Sequence, residues 1–304
     1  MNLSDLRTRL TDLYGPAATN EESYYNRIIN DAYKELAAIT RWWWLEKETI
    51  VTTKAVATTI TVDTTDGSTN LDFTATSTTL DDAYDGGWLH SGEHTYRIID
   101  ASDSVGEIVI DSDWIESSDS DASVSVWNDI FDLPSDYDDI IDVIPRSEPN
   151  YRPLRQITPQ EMFAYGIDVY DNATEHANVY CIFRESDKSI YSRIRISPPP
   201  SLEVEYAVRY VAFPAAMSLD ADIPLLPEKH HMALAYLSRL RLLKDRREDP
   251  DVIGNAEIDA QRALQRLWRE QKRSGALTYR AGRKGIRKNP PLEFNVVDAT
   301  SESP

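Results

Sequence analysis

The chain has a single cysteine, Cys181, in 304 residues, so neither an intramolecular disulfide framework nor a cysteine-built zinc site is open to it. Glycine is scarce, 11 in all, and none stands in a phosphate-loop or dinucleotide-binding arrangement. Apolar runs stop after a few residues, so no membrane-spanning helix is expected. Met1-Asn2-Leu3-Ser4-Asp5 lacks the basic, then apolar, start of a signal peptide, and export by that route is not expected. Basic residues are nearly missing from the middle of the chain. Residues 51–142 hold 21 Asp or Glu against Lys54 and Arg97 alone, which leaves that stretch at −19, the formal charge of the whole chain.

What is present is a foldable composition, 41% hydrophobic and 27% charged, enough for a buried core in one or two domains. The charge is bipolar. Residues 228–290 carry 16 Lys or Arg against 8 Asp or Glu, and residues 272–288 hold seven bases and no acid. An acidic middle repels polyanions, while the basic stretch suits an acidic protein surface or a nucleic-acid backbone.

Leu3, Leu6, Leu10 and Leu13 recur at helical spacing until Gly15-Pro16, and residues 19–22 offer a capping box for a second helix. That helix presents Tyr25, Ile28, Ile29, Ala32, Leu36 and Ile39 and ends in Arg41-Trp42-Trp43-Trp44-Leu45. Three adjacent indoles cannot share one helix face, so some must meet a second element or a partner. From Thr49 the texture turns Thr- and Asp-rich. Residues 58–62, 95–99, 107–111 and 123–127 are β-branched or aromatic between Asp/Ser/Gly turns, which predicts an antiparallel sandwich or barrel. Further strands are expected over 140–144, 178–184, 190–196 and 202–213, with a short helix after Thr158-Pro159.

An antiparallel helical hairpin closes the pattern. Its first helix opens at Pro227 with a stripe of Met232, Ala233, Tyr236, Leu237, Leu240 and Leu243. The second opens at Asp249-Pro250 with Ala256, Ala260, Leu264, Leu267 and Trp268, and is expected to stop at Gly275. The expected fold class is therefore α+β: a helical bundle formed by the N- and C-terminal helices, with an inserted antiparallel β module and an extended C-terminal tail. The expected boundaries are 1–48 for the N-terminal helices, 49–145 for the acidic β domain and 146–226 for a mixed connector with strands. Residues 227–274 form the hairpin and 275–304 the tail. Trp42, Trp43, Trp44, Leu237, Leu240, Leu264, Leu267 and Trp268 are the expected bundle or subunit interface.

Signs of catalysis are few, and no catalytic, cofactor or metal site is expected. His90 and His94 would present two ligands to one metal ion on a helix, but Gly92 and strand-like flanks argue against that helix. Asp111-Ser112-Asp113 and Asp119-Ser120-Asp121 lack the calcium-loop spacing and read as solvated loops. No Gly-x-Ser-x-Gly elbow occurs, and Cys181 in Val179-Tyr180-Cys181-Ile182-Phe183 reads as a buried strand thiol. In the tail, Arg280, Arg283, Lys284, Arg287 and Lys288 would bind phosphates, with Tyr279 to stack, or an acidic groove of another protein. The absence of a nucleic-acid motif and the charge of −19 favour the protein.

Three segments carry a likeness to a known family. Ile28-Ile29-Asn30-Asp31-Ala32-Tyr33 leads to Trp42-Trp43-Trp44-Leu45, a strand module runs to Phe131-Asp132-Leu133-Pro134-Ser135-Asp136-Tyr137, and Leu226-Pro227-Glu228-Lys229-His230 opens the hairpin. In that order, up to about residue 273, the chain resembles the head-to-tail adaptor or connector proteins of tailed viruses, bacteriophage or archaeal. The resemblance implies a non-catalytic virion protein of the neck between capsid and tail, assembled in the host cytoplasm. It implies a homo-oligomeric ring, a dodecamer, that joins the portal protein to a downstream tail or nozzle protein. Double-stranded DNA would pass through without sequence-specific binding, and no membrane is involved. By the same likeness Arg280, Arg283, Lys284, Arg287, Lys288 and Phe294 match the tail that docks on the portal. The acidic, threonine-rich insertion departs from the pattern, and a high-salt host or an exposed decoration would account for it. The competing class is a β-sandwich that binds a glycan or receptor through Trp88, Trp114 and Trp127.

Overall fold

A computed structural model of the chain describes residues 1–15, 22–74, 80, 84–92, 94–102, 106–146, 152–165, 177–184 and 192–279. Helix α1 (Leu3–Tyr14) opens with a reciprocal cap: the Asn2 side chain accepts from the Asp5 amide, and the Asp5 carboxylate from the Asn2 amide. Gly15 stops it at a φ of 123°, beyond the reach of most side chains. Helix α2 (Glu22–Ala38) follows, then a single 3-10 turn at Trp43–Leu45 and strand β1 (Glu46–Thr53). The capping box expected at 19–22 lies largely outside the described residues.

Strands β2 (Ala57–Thr64), β3 (Asn70–Thr74), β4 (Trp88–Ser91), β5 (His94–Ser102), β6 (Glu107–Ile110) and β7 (Asp119–Trp127) form a closed barrel in the order β2-β3-β6-β5-β4-β7. Period-two alternation turns Ile60, Val62, Leu71, Ile108, Val124 and Val126 into its interior. A register shift after Ile98 throws Ile99 outward. Gly87 is required where β4 begins, because a Cβ there would overlap the carbonyl oxygens of Trp127 and Tyr84.

The chain then runs through β8 (Ile130–Asp132), β9 (Tyr137–Pro145), β10 (Arg155–Gln156), α3 (Pro159–Tyr165), β11 (Val179–Arg184), β12 (Ser192–Ser197) and β13 (Val204–Ala212). Two sheets result, β1-β13-β9 and β10-β11-β12-β8. They share one core, in which Val51, Val143, Tyr206 and Val208 of the first meet Tyr180, Ile194 and Ile196 of the second. Helix α3 follows Thr158 as expected and is capped reciprocally, with Glu161 and Thr158 exchanging side chain to backbone bonds.

Helices α4 (His231–Asp245) and α5 (Pro250–Tyr279) pack antiparallel, and α4 lies against α1 and α2 as well. Their turn is pinned by Arg246, which sits over the rings of Tyr14 and Tyr24 at 4.9 and 5.7 Å. Tyr14 donates to Glu248 at 2.9 Å and Tyr24 to Asp245 at 2.5 Å. Among the described residues no helix is long and apolar enough to cross a membrane.

The expected fold class, a helical bundle with one inserted β module, is overturned. The fold is α+β with thirteen strands and five α-helices among the described residues, and its β material is a six-stranded barrel plus two further sheets. The physical reason lies in pairing. Strand β1 is exposed at alternate positions and mostly polar, so it carries little apolar signal, and its partner β13 lies some 150 residues further on. Two details also change. Helix α5 passes Gly275 and continues to Tyr279, since an interior glycine costs only about 1 kcal/mol. The most buried face of α4 carries His231, Leu234, Ala235, Ser238 and Leu242, rotated from the expected stripe, of which Met232, Tyr236, Leu237 and Leu240 are half-buried.

Candidate docking surfaces

The triple tryptophan forms the joint between the N-terminal helices and α5. Trp42 is fully buried, donates its indole N–H to the Leu36 carbonyl at 2.6 Å, and lies 5.2 Å from the Trp268 ring. Trp44 stacks between Trp42 and Tyr33, each at 6.2 Å. The Trp43 amide donates to Gln271 Oε1 at 3.1 Å, while Gln271 Nε2 donates to the Arg41 carbonyl at 2.8 Å. Glu270 accepts from Lys229 and His230, which holds its carboxyl below the usual range. The C-terminal half of α5, from which the basic tail leaves, is thus clamped at 268–271. Of the expected interface residues, Trp42 and Leu267 are spent on the chain's own core, whereas Trp43, Trp44, Leu237, Leu240, Leu264 and Trp268 keep partial exposure. Arg280, Arg283, Lys284, Arg287, Lys288 and Phe294 lie outside the described residues.

A second surface escaped the sequence reading. The link from β13 to α4, residues 213–226, exposes Phe213, Leu219, Ile223 and Leu225. The link is tied down at its base: Asn30 exchanges two bonds with the Met217 backbone at 2.8 and 2.9 Å, and the Leu225 amide donates to the Tyr33 hydroxyl at 2.7 Å. Burial pushes that hydroxyl up to about 12. A cavity of about 320 Å³ opens beside it, with Lys47 and Asp136 at its polar edge. Burial alone would raise the Asp136 carboxyl, but bonds from Lys47 and Tyr210 outweigh it and hold the group below its usual range. The signal was an apolar stretch without period between a strand and a proline-opened helix, a pattern that names no secondary structure.

Trp114 and Trp127 are buried, and half-buried Trp88 donates to Asp129 at 3.0 Å beneath the Arg195 guanidinium, so the glycan-platform alternative loses its exposed aromatics. His90 lies on β4 and bonds Thr95 across the hairpin at 3.0 Å. Cys181 is buried in β11, and burial pushes its thiol up, away from a reactive thiolate. The surface chemistry is acid outside the barrel and mixed ion pairs on the helices.

Comparison with curated proteins gave no match. A family model described as SU10 adaptor protein matches residues 101–284.

Proposed function

Because the chain belongs to the SU10 adaptor protein family, a phage adaptor family of structural virion proteins, we propose that it forms a homo-oligomeric ring between the portal and the tail. The ring continues the DNA channel, carries no catalysis, and sits in the neck of the virion. The observation that carries this reading is the extent of the family match, which runs from the end of β5 through β6 to β13 and the helical hairpin. It ends at residue 284, so Arg280, Arg283 and Lys284 of the basic tail fall inside it. An adaptor works by contact with other virion proteins, and a basic tail leaving a clamped helix suits an acidic groove on the portal. The acidic barrel would repel passing duplex and keep it from adhering.

The test is negative-stain microscopy of the full chain mixed with portal rings of the same virus, after size-exclusion separation. A second ring stacked on the portal is expected. Removal of residues 280–304 is expected to abolish stacking while leaving circular dichroism and the thermal midpoint unchanged, since α5 ends at Tyr279. Truncated protein that stacks normally would remove the tail from the docking role. Bare portals beside free full-length protein, across a range of salt, would remove the adaptor ring.

A further inference from the structure

Helix α5 packs through Ala256, Ala260, Ala263 and Leu267, and helical spacing turns Ile258, Arg262, Arg266 and Arg269 to the opposite side, with Lys272 at its flank. All four cations are exposed, and none has an ion-pair partner among the described residues. The contrast with their surroundings is sharp. Arg239 pairs with Asp259, Arg241 with Asp31 and Glu35, Lys244 with Glu257, and Lys229 with Glu270. Like charges at helical i, i+3 and i, i+4 positions repel by a few tenths of a kcal/mol per pair. The ridge therefore works slightly against the isolated chain.

The chain carries the complementary surface elsewhere. Residues 57–127 hold fifteen Asp or Glu and one base, Arg97. Asp63, Asp66, Asp111, Asp113, Asp119 and Asp121 are exposed at one end of the barrel. That end is fixed by its turns: the Asp119 amide donates to Thr64 Oγ1 at 3.0 Å, the Asp66 amide to Ser118 Oγ at 3.0 Å, and the Gly67 amide to the Trp114 carbonyl at 2.9 Å. Within one chain α5 packs on α4 and on the turn at Trp43–Leu45.

We propose that the outer face of α5 docks on the acidic end of the barrel of a second copy of this chain. The inference rests on the ring assembly proposed above. One surface meeting a different surface on an identical neighbour is a head-to-tail contact, the kind that closes into a ring. Two features favour protein over DNA as the occupant. The ridge is led by an exposed aliphatic, Ile258, at 48%. Its cations are chiefly arginine, which protein interfaces favour over lysine.

The experiment uses two full-length variants and sedimentation velocity, with and without portal rings. One is Arg262→Glu/Arg266→Glu/Arg269→Glu, and the other is Asp63→Lys/Asp119→Lys/Asp121→Lys. Each alone is expected to keep its circular dichroism and lose the assembled species that the unaltered chain forms. An equimolar mixture is expected to regain it, because each altered surface then meets its complement. Assembly of the arginine variant as readily as the unaltered chain would overturn the inference while leaving the ring reading intact. So would a variant that assembles but loses retention of a short DNA duplex, which would assign the ridge to DNA. An unaltered chain that forms no ring, free or on the portal, would overturn both.

Discussion

Two arginines of β12 reach acids on or beside β8, and burial decides how much each pair matters. Arg195 Nε meets Asp129 at 2.6 Å with the carboxylate wholly buried, and Arg193 Nε meets Asp132 at 2.7 Å with that carboxylate 61% exposed. Burial pushes the Asp129 carboxyl up, against the pull of Arg195 and the Trp88 N–H. Asp129→Ala strands a partly buried cation and an indole N–H, and is expected to destabilise by about 3 kcal/mol or more. Asp132→Ala, at a screened surface pair, should cost about 1 kcal/mol at most. Urea unfolding of the two variants measures the contrast, and equal losses would refute it. At Asp136 the sign with pH is fixed by its depressed folded value. The group contributes stability that is complete above the ordinary 3.8 and is lost as pH falls below it towards the folded value. Asp136→Asn should therefore flatten the acid limb of the stability profile, read by thermal melts across the acid range.

At the scale of elements, the tryptophan joint determines where α5 ends up. Trp42 fills the space between α2 and Trp268 and caps the Leu36 carbonyl. Trp42→Ala is expected to cost about 3–5 kcal/mol, from lost packing and a void. Amide exchange should rise first in the C-terminal half of α5, because Gln271 and Trp43 hold it through the same turn. Uniform acceleration across all helices would show that the joint is not local. Much of this was legible beforehand, since three adjacent indoles cannot lie on one helix face. Which indole would be buried was not, because that depends on where Trp268 arrives. The α4 stripe shows the same limit. Nearly every side of α4 is apolar, so periodicity could not say which face three neighbouring helices would cover most completely.

The whole molecule is organised by charge as much as by fold. Most of the barrel's carboxylates among the described residues face solvent, and Arg97 is the one Lys or Arg in residues 57–127, so self-repulsion opposes its closure. Salt shortens the screening length from about 10 Å at 0.1 M to about 3 Å at 1 M. The thermal midpoint is expected to rise over that range, while any contact between α5 and a neighbouring barrel weakens, and calorimetry beside sedimentation separates the two. A midpoint indifferent to salt would remove the high-salt account of the acidic insertion. The sequence by itself determined the composition-level facts and the local ones: a bipolar charge, an inward alternation along the barrel strands, a first helix stopped at Gly15-Pro16, and a hairpin opened by prolines. These depend on neighbours within a few residues. Only the tertiary structure decided that β1 joins β13, that the barrel closes through β2 and β7, and that residues 213–226 leave apolar side chains in water. Strand pairing and exposure are set by segments far apart in the chain, whose backbone hydrogen bonds are chemically alike, so no local pattern selects among them.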